Sequence, residues 1–258
     1  MPFNLQFSPA LQALAELKTE ISTPQPLPAA PSLSRVLAGM GPLPREALFL
    51  GVASDGLPVL LNLHDPHPGP LLIAGDAGSG KTVFLQTIAH TVAETHSSDD
   101  VQIGVLTGHP DEWENIEAIS QRLGIFPIHH DSAQYFISSL AAWAHTNKHA
   151  HHSVLLLIDD LESIASLGLD CLQDFRWLLL RGPARRVWPI ITLNAARYGQ
   201  VISWLELFRT RIFSRIADER LGTALGADKA SALEQLVAPI QFCLRENGNW
   251  LRFWLPSF

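Results

Sequence analysis

Residues 75–82 fit the pattern G-x-x-x-x-G-K-[ST], and each fixed position has a chemical reason. Gly75, Gly78 and Gly80 let the backbone curl so that successive N–H groups point at phosphate oxygens. A helix starting at about Lys81 adds the positive end of its dipole. Lys81 would reach the β- and γ-phosphates of a nucleotide, and the Thr82 hydroxyl would hold Mg²⁺. Asp76, Ala77, Ser79 and Val83 complete the run that would wrap the phosphates. A second constellation lies downstream, where the apolar run 154–158 ends in Asp159 and Asp160. A central strand of that kind would set Asp159 beside the Mg²⁺ on Thr82. Asp160 would then stand where it could orient or deprotonate an attacking water. The same acids, with Glu162, also suit the N-terminus of a helix, so capping is the alternative use.

Two further pairs could complete such a site. Thr192 and Asn194 close the next buried run and could sense a γ-phosphate or hold the water; loop capping is their other use. Arg211 and Arg215 are an even number of residues apart on an expected strand, 211–216, so they share a face. They could reach a neighbouring subunit's phosphates as arginine fingers. Surface pairing with Asp218 or Glu219 is the alternative.

These side chains need a strand, a loop and a helix, with a second strand alongside. Leu71, Leu72, Ile73 and Ala74 supply a buried strand before the loop. Val83, Phe84, Leu85, Ile88 and Ala89 continue after it as an amphipathic helix. Strand-like runs 48–52 and 57–63 flank a turn at Ser54, Asp55 and Gly56. Further strands are expected at 101–106, 125–128, 154–158 and 187–193. Helices are expected at 111–123, 132–144, 170–180 and 199–208, and a closing hairpin pairs 240–245 with 250–254. Strands alternating with helices predict an α/β fold, with a mostly parallel central sheet, helices on both faces and flanking hairpins. Ligands of such sheets sit at the carboxyl ends of strands, where the 75–82 loop lies.

Upstream, Ser8 and Pro9 open an amphipathic helix carrying Leu11, Leu14, Leu17 and Ile21. Pro24, Pro26, Pro28 and Pro31 then mark an extended linker, and a short helix is expected at 32–38. The first helix either packs on its own domain or docks on a protein partner. The chain thus divides into 1–45, helix and linker, and 46–258, the nucleotide-binding domain.

Composition bounds the function. With 47% hydrophobic and 17% charged residues, the 258-residue chain is globular rather than disordered. No apolar run approaches the ~20 residues of a membrane helix, and the first Lys is Lys18, so no signal peptide is evident. A soluble cytoplasmic protein is the expectation. Cys171 and Cys243 fit no metal or disulfide framework. His129, His130, His149, His151 and His152 read as loop histidines rather than a metal centre. A net charge of −7 argues against a broadly basic nucleic-acid surface. It leaves room for a local one, such as Arg181, Arg185 and Arg186, which could contact phosphates or simply solvate a turn. Trp250 and Trp254 share a strand face, where packing against the sheet competes with base stacking.

On these residues the sequence resembles the FtsK/HerA group of motor ATPases over about 48–256. The run Leu50-Gly51-x4-Gly56-x-Pro58-Val59 leading into 71–82 resembles the entry to the FtsK motor core. Ile158-Asp159-Asp160-Leu161 resembles the group's apolar-Asp-Glu motif, with Asp160 where glutamate is usual. Arg181-Gly182-Pro183-Ala184-Arg185-Arg186 is similar to a segment of the group that type VII secretion ATPases share. Thr210-Arg211-Ile212-x-x-Arg215-Ile216 is similar to the strand carrying arginines in FtsK. The resemblance implies a RecA-like core that hydrolyses ATP with Mg²⁺ at the interfaces of a ring, usually a hexamer. DNA is the expected moving substrate. A secretion or conjugation-coupling ATPase acting on protein, or a nucleotide-gated scaffold that hydrolyses weakly because of Asp160, are the alternatives.

Overall fold

The computed structural model describes residues 31–146, 152–246 and 248–258. The N-terminal helix, the linker as far as Ala30, His149 and His151 lie outside the described residues. In chain order the elements are α1 (Leu33–Met40), β1 (Ala47–Ala53), β2 (Pro58–Asn62), β3 (Leu71–Gly75), α2 (Lys81–Thr95), β4 (Val101–Thr107), β5 (Arg122–Pro127), α3 (Asp131–Thr146), β6 (Ser153–Asp159), α4 (Leu161–Ile164), α5 (Leu169–Arg181), β7 (Val187–Asn194), α6 (Ile202–Leu205), β8 (Thr210–Phe213), α7 (Glu219–Ala224), β9 (Gln241–Glu246) and β10 (Asn249–Trp254). None of the described helices is long and apolar enough to cross a membrane.

All ten strands form one sheet, ordered β2-β1-β10-β9-β8-β3-β7-β6-β4-β5. From β8 to β5 neighbouring strands are parallel. The two hairpins extend the sheet antiparallel beyond β8. β3, β6 and β7 are apolar almost throughout because both faces of the sheet are covered. Leu72, Ala74, Leu156, Ile158, Ile191 and Leu193 pack on one face with Phe175 and Leu178 of α5 and Ile137 of α3. Leu71, Ile73, Leu155, Leu157 and Ile190 turn to the other, against Phe84, Leu85, Ile88 and Val92 of α2.

Several segments depart from the sequence-based expectation. The helix expected at 111–123 is a 3-10 segment, Pro110–Ile116, then turns over 117–121 and the start of the edge strand β5. Only Trp113 and Ile116 turn inward there, one turn's worth of core. The chain is then captured by β4, since the Gln121 carbonyl accepts from the Ile103 N–H at 2.9 Å. The 199–208 helix is a 3-10 segment, Ala195–Gln200, and the single turn α6. α1 belongs with the body rather than with the linker. Leu33 is buried against Phe49 and Val52, its N–H donates to the Ser257 carbonyl at 2.6 Å, and Ser32–Phe258 make one unit. Trp250 and Trp254 both pack inward, Trp250 edge-on to Phe213 and Trp254 beside Phe49.

Candidate nucleotide-binding site

The site forms where β3, β6 and β7 end together. Register sets Gly75 opposite Asn194 and Ile158 opposite Ile191, so β3 and β7 end level and β6 ends beside Thr192, two residues before the tip of β7. Between β3 and α2 the loop turns on Gly78 and Gly80, at φ +70° and +96°, a region that glycine enters without strain. Gly80 is the residue before α2 and offers no side chain to cap it. The first N–H groups of the helix are therefore left to a ligand.

Lys81 lies under this loop, with its Nζ donating to the Asp76 carbonyl at 2.7 Å. Burial lowers its proton affinity, and the charges of Asp159, Glu162, Asp76 and Asp160 push it back up. Thr82 Oγ1 donates to Asp159 Oδ2 at 2.7 Å, and Thr192 Oγ1 donates to Asp159 Oδ1 at 2.5 Å. One hydroxyl thus comes from the loop helix and one from the neighbouring strand, and together they fix the carboxylate. Mg²⁺ takes oxygen donors, and needs only one or two from protein when phosphates and water supply the rest. The hydroxyl of Thr82 against the carboxylate of Asp159 fits that requirement. Among the described residues no three His, Cys, Asp or Glu side chains form a cation cage by themselves.

The remaining expected residues divide. Asp160 is the N-cap of α4, and its Oδ1 accepts from Ser163 N at 3.0 Å and Ser163 Oγ at 2.7 Å. Asn194 caps the following 3-10 segment, with Oδ1 accepting from Ala196 N at 3.1 Å. Both show the capping use. Arg211 points into the protein, where its guanidinium donates to the carbonyls of Leu225 and Leu205 at 2.6 Å and its Nε to that of Phe208 at 3.3 Å. β8 ends at Phe213, so Arg215 lies past the strand and the shared face expected of the two arginines does not exist. Arg215 is exposed, with Nε 3.4 Å from the Glu234 carbonyl. Neither arginine pairs with Asp218 or Glu219 among the described residues; Glu219 pairs with Lys229 instead.

Two features were not legible as parts of the site. The loop is held from outside by the chain after β8. Asp76 N donates to the Arg215 carbonyl at 3.0 Å, Asp76 Oδ2 accepts from Ala217 N at 2.8 Å, and Ser79 and Ser214 hydroxyls meet at 2.6 Å. The other is Glu162, in the first turn of α4. It is only 9% exposed, and Oε1 accepts from the Asn194 N–H at 3.2 Å. Burial is the main cause that pushes its carboxyl up from 4.5 to about 7. An unfolded chain releases this proton at lower pH than the folded one. The folded state therefore holds the extra proton between about pH 4.5 and 7, and its stability falls as pH rises through that window. We expect urea midpoints to fall across it in the parent and to flatten in Glu162→Gln.

No protein-family model matches the sequence, and no curated protein matches it significantly. Solved structures do match the fold. EccC of Thermomonospora curvata (ATPases 2 and 3, in complex with a signal sequence peptide) aligns at TM-score 0.71 and 13% identity, over 90% of this chain and 44% of that one. The chain has the RecA-like P-loop ATPase fold. EssC of Geobacillus thermodenitrificans (ATPases 2 and 3) aligns at TM-score 0.70 and 17% identity, over 96% of this chain and 49% of that one. The pCW3 conjugation coupling protein TcpA, with ATPγS, aligns at 0.64 and 13%, over 90% and 71%. The chain spans less than half the length of the secretion ATPases it matches first. These neighbours are all of the FtsK/HerA type that the sequence resembles.

Proposed function

We propose that the chain binds ATP with Mg²⁺ and hydrolyses it, as one subunit of a ring motor that moves DNA. The observation that carries the ATP reading is the contact of Thr82 with Asp159 beside Lys81. Three side chains from two elements, α2 and β6, meet at the carboxyl ends of β3 and β6, at the mouth of a glycine loop whose helix lacks a side-chain cap. Lys81 and the N–H groups of residues 76–83 would hold the phosphates. Thr82 and Asp159 would hold the metal, which neutralises phosphate charge during hydrolysis. Thr192 would keep Asp159 turned to it. Of the two arginines, the exposed Arg215 is the one that could reach a neighbouring subunit's phosphates. Arg211 is a structural anchor for the segments at Leu205 and Leu225.

Protein as the moving substrate is the second reading, favoured by the net charge of −7 and by the peptide bound to the EccC neighbour. The densest basic cluster also lies away from the nucleotide. Arg185 and Arg186 precede the amino end of β7, an eight-residue strand, roughly 25 Å from its carboxyl tip. Steady-state ATPase with and without double-stranded DNA, with mass measured in the same buffers, tests the proposal. We expect Mg²⁺-dependent turnover that DNA raises, with binding that weakens steeply with salt. Turnover indifferent to DNA would favour protein, and tight ATP binding with no turnover would favour a scaffold.

A further inference from the structure

We propose that Glu162 is the carboxylate that takes the proton from the attacking water, the part that the sequence pattern gives to Asp160. The inference rests on the ATP-hydrolysing reading above and names a residue of that same site.

The two acids differ in how they are held. Asp160 turns one oxygen, Oδ1, to the start of α4, where it receives both the N–H and the hydroxyl of Ser163. It is also one methylene shorter than the glutamate usual at that position, and a shortfall of ~1 Å can cost about a hundredfold in rate. Glu162 has the longer side chain and is the more deeply buried of the two. Oε1 is fixed by the Asn194 N–H, whereas Oε2 is shielded from solvent and has no hydrogen-bond partner among the described residues. An unmet buried carboxylate oxygen is costly, on the order of 1–3 kcal/mol or more. A catalytic role is one of the recognised reasons for keeping such a group, beside strain or a bound water or ion.

Its position suits the γ-phosphate end of the site. Asn194, which anchors Glu162, is the register partner of Gly75, the first residue of the phosphate loop. The Glu162 charge is among those that raise the proton affinity of Lys81. The charged groups around Glu162 are Asp160, which raises its proton affinity, and Arg197, which lowers it, with Lys81 across the site. A general base works best when its proton affinity lies near the working pH. A carboxyl held at about 7 by burial meets that condition.

The step balances without further reactants. The water oxygen bonds to the γ-phosphorus while the bond from that phosphorus to the bridging oxygen breaks. The electron pair leaves on the β-phosphate of ADP. One water proton moves to the Glu162 carboxylate and passes from it to the departing phosphate.

The test uses the full chain with Mg-ATP and compares Glu162→Gln, Asp160→Asn and Glu162→Asp. Each is followed by kcat, KM, equilibrium ATP binding and thermal melting. Glutamine keeps the acceptor for Asn194 and removes the base. We expect it to lower kcat by about 10²–10⁴-fold, with ATP binding and KM little changed. The acidic limb of the parent's pH–kcat profile should vanish with it. Asparagine at 160 keeps the cap and should cost less than Glu162→Gln. If Glu162→Gln unfolds the protein, Glu162→Asp retains a carboxylate one methylene short, and a partial kcat loss with intact ATP binding supports the proposal. Parental kcat in Glu162→Gln or Glu162→Asp overturns it and leaves the ATPase reading standing, as does a larger loss in Asp160→Asn. A parent that binds ATP yet makes no ADP, alone or with DNA, overturns the ATPase reading and this inference with it.

Discussion

Replacing Lys81 by alanine should abolish tight ATP binding while leaving the fold in place. The Lys81 ammonium is set among Asp159, Glu162, Asp76 and Asp160, whose charges all raise its proton affinity. Removing it deletes the partner of the β/γ-phosphates and leaves those carboxylates to repel the nucleotide. Losing one member of a desolvated charge pair costs about 2–5 kcal/mol, so ATP affinity should drop by about 30- to several thousand-fold, and turnover at ordinary ATP concentrations should vanish. Stability should change far less. The structure gives Nζ a single bond, to the Asp76 carbonyl, worth about 1.5–3 kcal/mol for a charged donor. Part of that is offset because a half-buried cation is no longer desolvated. Fluorescent-nucleotide titration beside thermal melting separates the two effects. Affinity within a few-fold of the parent would mean that Lys81 does not hold the phosphates, and the site assignment would fall.

Lys81, Thr82 and Asp159 could be placed from sequence because each stands at a fixed point of a recognisable pattern, the start of the helix after the loop or the end of an apolar strand. A glycine loop between a buried strand and a helix has one workable arrangement, and a second apolar run ending in an acid lands beside it. The same holds for β3, β6 and β7, whose apolar runs demand cover on both faces. What was not legible depends on how caps and irregular segments settle in the fold, which residue type alone does not fix. Whether Asp160 or Glu162 faces the site turns on how α4 begins, and two bonds from Ser163 decide that. Arg211 looks like a strand arginine free to reach outward. Its partners, the Leu205 and Leu225 carbonyls, sit in irregular segments before and after β8. The 111–123 run has helical composition, yet pairing of Gln121 with β4 outweighs a propensity worth only tenths of a kcal/mol per residue. α1 looked like part of a linker because nothing in the sequence announces that Phe49 and Val52 leave a surface for Leu33.

Gly80→Ala should be the most damaging small change in the loop, and its cause can be dissected. Two independent costs meet at this position. Its φ of +96° strains any residue with a Cβ, and such a residue outside its usual region costs of order 1–3 kcal/mol. The added Cβ would also lie 2.1 Å from the Pro239 carbonyl oxygen and 2.7 Å from its carbon. These are backbone atoms that no side-chain rotation can clear. Overpacking of that kind adds about 1–3 kcal/mol, for a total of about 2–6 kcal/mol against a typical domain stability of 5–15 kcal/mol. Gly78→Ala isolates the first cost, since its φ is +70° but nothing lies within 4 Å of the new Cβ. Gly75→Ala isolates the second. Its φ is unexceptional, but the new Cβ would meet the Ser214 hydroxyl at 1.7 Å and the Ser79 hydroxyl at 2.6 Å. Adding Ser214→Gly should recover part of that loss, because the hydroxyl in the way is gone. No single substitution should rescue Gly80→Ala in the same way. Urea midpoints for the series give the order, with Gly78→Ala mildest and Gly80→Ala most destabilised. Equal losses at Gly78 and Gly80 would show that the segment at Pro239 yields freely and does not clamp the loop.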